Sequence, residues 1–99
     1  MSPLPERLRT RDGLQLHLRH WPARAARSVL IVHGLGEHIG RYEHVAAQLH
    51  ADGWQVFGYD QRGHGRSEGP RGGLATDDDL LHDLATVIDA LRAAQPGPL

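Results

Sequence analysis

Cysteine is missing from the 99-residue chain, which excludes a disulfide framework, a thiolate nucleophile and a zinc–thiolate centre. Lysine is missing too: all 11 basic residues are arginine, 12 are acidic, and the net charge of −1 gives no pull on nucleic acid or an anionic membrane surface. Aromatic residues are scarce at 5%. No apolar run is longer than Val29 to Val32, far too short to cross a bilayer. The charged stretch from Met1 to Gly13 lacks the apolar core of a signal peptide. A cytoplasmic protein is expected, with no transmembrane segment and no nucleic-acid partner. What is present, 39% hydrophobic residues in 99, suits one small domain.

Leu8 and then Leu14, Leu16 and Leu18, alternating with polar residues around Asp12-Gly13, predict an antiparallel hairpin with one buried face. Pro22 ends it. Ser28 to Val32 reads SVLIV, continuously apolar and β-branched, the pattern of a strand buried on both faces. A helix is predicted from Arg41, with Tyr42, Val45, Ala46 and Leu49 on one stripe and Gly53 as its stop. Trp54 to Asp60 gives the next strand, parallel to SVLIV across a βαβ crossover. After a glycine-rich loop from Gln61 to Gly73, Thr76 and three aspartates open a last helix. Its stripe of Leu80, Leu81, Leu84, Val87, Ile88 and Leu91 packs on a sheet. The fold class is α/β, a hairpin followed by a βαβα segment, and the final PGPL reads as the approach to another strand.

His33, Gly34, Leu35 and Gly36 follow the first apolar strand, at the sheet end where α/β ligand sites lie. Their glycines either let backbone N–H groups approach a developing oxyanion or only redirect the chain through a tight turn. Gly34, Gly36 and Gly40 spell G-x-G-x-x-x-G, one residue longer than the dinucleotide fingerprint. Asp60 ends the next strand roughly where a ribose-binding acid would sit, so a nucleotide-binding half-domain stays open as an alternative. His33 to His38 reads H-x-x-x-E-H, one residue too long for the inverted zinc motif and broken by glycine. No metal and no cofactor are expected.

HGLGEHIGRY after one strand and DQRGHGRSEGPRG after the next carry a resemblance. In this pairing, HGxGEHxxRY with DxRGHGxSxGxRG, the chain resembles the monoacylglycerol lipase and lysophospholipase branch of the α/β-hydrolases, over about residues 5 to 95. The resemblance implies a serine esterase in the full-length fold, acting on a small-molecule acyl ester. One oxyanion donor would be the backbone N–H of Leu35, in the loop with His33, Gly34 and Gly36. Asp60, Arg62, Gly63, His64, Gly65 and Ser67 fall in a supporting loop braced by hydrogen bonds and an ion pair. Arg41 and Tyr42 match the family's RY pair.

Gly65 to Gly69 also spells G-x-S-x-G, the nucleophile elbow, and Asp60, His64 and Ser67 have the composition of a triad. A working elbow needs an apolar strand before the serine and a helix straight after it. DQRGHG precedes Ser67 and EGPRGG follows, so none of the triad is expected in this chain. Residues 1–99 are read as the amino-terminal portion of one hydrolase domain, cut before the nucleophile strand and inactive alone. SVLIV is then an unpaired edge that aggregates or pairs. The remaining alternative is a non-catalytic interaction partner.

Overall fold

Alternating leucines and a threonine-built turn shape the first hairpin. The computed structural model describes residues 6–24, 27–34, 37–69, 77–95 and 97–99. In it, β1 (Arg7–Arg9) pairs antiparallel with β2 (Gln15–Trp21), Leu8 opposite Leu16. The Thr10 amide donates to the Leu14 carbonyl at 2.7 Å, and its hydroxyl accepts the Leu14 amide at 3.0 Å. Gly13 supplies the left-handed φ of +92° that closes the turn.

β3 (Ser28–Val32) and β4 (Gln55–Tyr59) are parallel, from Ser28 opposite Gln55 to Val32 opposite Tyr59. β4 also pairs antiparallel with β2, so the sheet order is β1-β2-β4-β3. This placement corrects one expectation. The strand covered on both faces is β4, all five residues of which are buried, whereas β3 lies at the edge and ends with Val32 45% exposed. An apolar β-branched pattern states what a strand can tolerate, and its neighbours decide what it meets.

Leu16, Leu18, Phe57 and Tyr59 share one face and meet Val87 and Leu91 of α2 (Asp77–Ala94). Arg19 and Trp21 alternate with those leucines and project to the opposite face. There Glu43, the first residue of α1 (Glu43–Ala51), accepts hydrogen bonds from Arg19 at 2.9 Å and Trp21 at 3.2 Å. The chain enters α1 through a 3₁₀ turn, Ile39–Tyr42, so the α-helix proper starts two residues after Arg41. Gly53 ends it as expected: at φ +92° its amide donates to the His50 carbonyl and that of Trp54 to the Leu49 carbonyl, the Schellman pairing.

Two residues of the expected stripes point outward, Val45 at 40% and Leu81 at 62% exposure. Fully buried Ala46 holds the centre of the α1 stripe, and Val45 is turned about 100° from it. Leu81 lies roughly 120° around the helix from Val87. The Thr76 cap falls outside the described residues. Among the described residues no helix is long and apolar enough to cross a membrane. Replacing Leu91, 2% exposed, by Ala is expected to lower unfolding stability by about 2–5 kcal/mol. Leu81→Ala should change it by less than about 0.5 kcal/mol, both read from urea denaturation followed by circular dichroism.

Candidate functional site

Two loops leave the carboxyl ends of β3 and β4, and one histidine joins them. The Gln61 amide donates to His33 Nε2 at 2.9 Å, and the Gln61 side-chain amide donates to the His33 carbonyl at 2.7 Å. A backbone N–H can only donate, so Nε2 is the acceptor and the ring proton sits on Nδ1. Nδ1 then donates to the Gly34 carbonyl at 2.7 Å. His33, 2% exposed, therefore has both ring nitrogens engaged within the protein.

The Glu37 carboxylate shapes the turn that follows. It accepts the Gly34 amide at 3.1 Å and the Tyr42 hydroxyl at 2.5 Å, while the Glu37 amide donates back to the Gly34 carbonyl at 3.1 Å. A Cβ at Gly34 would sit 2.8 Å from Glu37 Oε1, so the carboxylate could not remain there above any larger residue. The Tyr42 hydroxyl, and then the Gly34 amide, hold the Glu37 carboxyl below its usual range, and the same contact pushes Tyr42 up. Arg41 Nε stands 3.9 Å from Glu37 on the exposed side. Of the expected loop, His33 and Gly34 are placed; Leu35 and Gly36 lie outside the described residues.

Asp60, 3% exposed, gathers the second loop. Its Oδ1 accepts the Ile39 amide at 2.8 Å, and its Oδ2 accepts the Arg66 amide at 2.9 Å and faces His17 Nδ1 at 3.3 Å. Gly65 passes so close, at φ +51°, that a Cβ would fall 2.4 Å from the Asp60 carboxyl carbon. Ser67 is 1% exposed; its hydroxyl donates to the Asp60 carbonyl at 2.5 Å and accepts the His17 amide at 2.8 Å. The loop around it, residues 60–69, contains turns and bends but neither strand nor helix. His64 turns Nδ1 to the Arg62 carbonyl at 2.9 Å and tilts against the His33 ring, centroids 5.3 Å apart. The structure thus brings Asp60 and Ser67 together through main-chain contacts.

Arg62 points away from Asp60 and towards α2. Its Nε and Nη2 bind the Asp83 carboxylate at 2.7 and 2.9 Å, and its Nη1 and Nη2 bind Asp12 of the hairpin turn at 2.9 and 3.0 Å. Asp79 adds a longer contact at 3.8 Å. Asp83, 2% exposed, did not stand out as a partner, although the sequence held a signal: it sits three residues after Leu80 and four before Val87, inside the apolar stripe. His17 carried no such signal, because polar residues are expected between Leu16 and Leu18. Burial and nearby Asp83 push the Tyr59 hydroxyl up to about 12.

The family model described as "Serine aminopeptidase, S33" matches residues 23–98. The chain belongs to the α/β-hydrolase family. Among its relatives are the monoglyceride lipase of Homo sapiens, 36% identical over 87% of this chain, and the monoacylglycerol lipase of Mycolicibacterium smegmatis, 43% identical over 61%. The chain spans 29% of the length of the first and 21% of the second. The enol-lactonase of Burkholderia xenovorans superposes with a TM-score of 0.69 at 30% identity, over 87% of this chain and 33% of that one. An esterase of Exiguobacterium antarcticum shares the fold, with a TM-score of 0.78 at 21% identity over 90% of this chain and 32% of that one. The α/β architecture seen here is that of the amino-terminal part of such hydrolases.

Within this hydrolase segment the Asp12–Arg62 contact is set to respond to acid. Arg62, and then the Thr10 hydroxyl, lower the Asp12 carboxyl from 3.8 to about 2. A carboxylate with a lowered pKa in the folded state stabilises the protein above its unfolded value, and that stabilisation is lost as pH falls through the folded value. Asp12→Asn should therefore be less stable than the parent at pH 5, and the gap should close between about pH 4 and pH 2. Thermal melts of the two proteins across that range would measure it.

Proposed function

We propose that this chain is the amino-terminal portion of a serine ester hydrolase of the monoacylglycerol lipase and lysophospholipase type. In this reading the nucleophilic serine, its acidic partner and the catalytic histidine come from chain beyond residue 99. The serine attacks the acyl carbonyl, the histidine takes its proton and returns it to the leaving alcohol, and the developing oxyanion is met by backbone N–H groups. The Leu35 amide is the donor that the family resemblance implies for this segment. The substrate class is a small-molecule acyl ester, as the lipase names of the relatives support.

The observation that carries this reading is the state of Ser67. A nucleophile's hydroxyl must face substrate and pass its proton to a base. That of Ser67 is buried, donates to a main-chain carbonyl and accepts a main-chain amide. In this reading residues 1–99 alone are inactive on esters. In a chromogenic short-chain ester assay with a fluorophosphonate probe, the isolated chain should show no turnover and no adduct on Ser67. Turnover that vanishes in Ser67→Ala and survives in Ser28→Ala would overturn the reading.

The sheet edge supports the same conclusion. The Arg27 carbonyl accepts the Gln55 amide at 3.2 Å, so residue 27 faces β4 and residues 28, 30 and 32 turn their amides to the open side. The Ser28 amide is taken there by the Pro98 carbonyl at 3.0 Å, the position at which a further parallel strand would enter. The two edges of the sheet also differ. β1 exposes Arg7 and Arg9, charges of the kind that discourage edge pairing, whereas β3 carries none. The isolated chain should therefore self-associate through β3, its sedimentation coefficient rising with concentration. Val32→Lys should reduce that rise, and an equal rise in the variant would count against β3.

A further inference from the structure

We propose that Asp60 is a positioning residue, whose carboxylate fixes the loop leaving β3, at Ile39, against the loop leaving β4, at Arg66. It rests on the hydrolase reading only for what the loop does once held.

Three segments meet at this one group. Ile39 belongs to the loop leaving β3, Arg66 to the loop leaving β4, and His17 to β2; the carboxylate accepts an amide from each of the first two and faces the ring of the third. Its own main chain extends the grip, since the Asp60 amide donates to the His17 carbonyl at 3.0 Å and its carbonyl accepts the Ser67 hydroxyl. Gln61 and His33 also join the two loops, so what the carboxylate adds is its hold on the Ile39 and Arg66 amides. Ile39 is 2% exposed and stands over Gly58, where a Cβ would lie 2.4 Å from its Cδ1, so its amide has no ready access to water if the carboxylate is removed. On the other side Gly65 is confined by the carboxylate itself. Ile39 lies five residues beyond Gly34 along the chain and two beyond Glu37, whose carboxylate accepts the Gly34 amide.

Asparagine offers one acceptor oxygen in place of two and turns an NH₂ towards the other amide; alanine offers none. Amide hydrogen exchange on the full 99-residue chain, resolved residue by residue by NMR, tests the latch. In the parent, Ile39 and Arg66 should be protected. Asp60→Ala should speed exchange at both by roughly ten- to a hundredfold and leave Val87 and Leu91 of α2 unchanged. Asp60→Asn should release one of the two and decides the matter if the alanine variant does not fold. Acceleration spread evenly over β2 and α2, or loss of the whole fold in Asp60→Asn, would make Asp60 a support of global stability and overturn the proposal. Unprotected Ile39 and Arg66 in the parent, or unchanged rates in a folded variant, would do the same. Ester turnover is not read in this experiment, so the hydrolase reading can fail while the latch stands.

Discussion

A carboxylate withdrawn from water costs several kcal/mol unless donors surround it. Asp60 is such a group, and the region around the carboxyl ends of β3 and β4 is arranged to meet that requirement. Two backbone amides and a histidine ring converge on its oxygens. The consequence is geometric as much as energetic. Because the donors come from separate stretches of chain, satisfying the charge brings those stretches into one arrangement, and Gly65 is obliged to be glycine by the room the carboxylate takes. Loops that would otherwise have little apolar surface to bury acquire a fixed relation to the sheet.

Arg62 solves a second problem by similar means. The loop after β4 must be tied to the elements on either side of it. A guanidinium carries five donors in a rigid fork, enough to serve two carboxylates bidentately, and here it joins the hairpin turn at Asp12 to α2 at Asp83. The pairing with Asp83 is screened from solvent and that with Asp12 is open to it. The Asp12 half is the exposed one, and it is lost as pH falls through the lowered Asp12 value.

The parts legible in the sequence were those written in a local code. The leucines of β2 alternate because one face is buried, Gly53 marks a helix end that only a left-handed residue can close, and the Leu84, Val87 and Leu91 spacing follows from 3.6 residues per turn. The expected two-sided burial of β3 fails because its composition states only what the strand tolerates, and Val32 is left 45% exposed, while its place at the sheet edge is the expected one. The pairing of β2 with β4 left no trace in either strand, since register between distant segments is a property of the assembled sheet. The site divides in the same way. Glycines and acids in the two motifs announced tight loops, but the link from Gln61 to His33, and the arrival of His17 beside Asp60, depend on strands brought together from more than twenty residues away.

The pentapeptide around Ser67 shows why a motif of that length is a weak guide. G-x-S-x-G records only that small residues flank a serine, which serves any chain that must turn sharply while anchoring a hydroxyl. At a nucleophile elbow the tight turn lifts the hydroxyl away from the backbone into a cleft. Around Ser67 the same small residues serve the reverse purpose. Gly65 and Gly69, at φ +51° and +122°, let the chain fold back until the hydroxyl is pressed between the Asp60 carbonyl and the His17 amide. The two outcomes share residue types and differ in what surrounds them: a strand and a helix in one case, an antiparallel neighbour and a buried carboxylate in the other. For a serine flanked by glycines, the partners of its oxygen therefore carry more information than its neighbours in sequence.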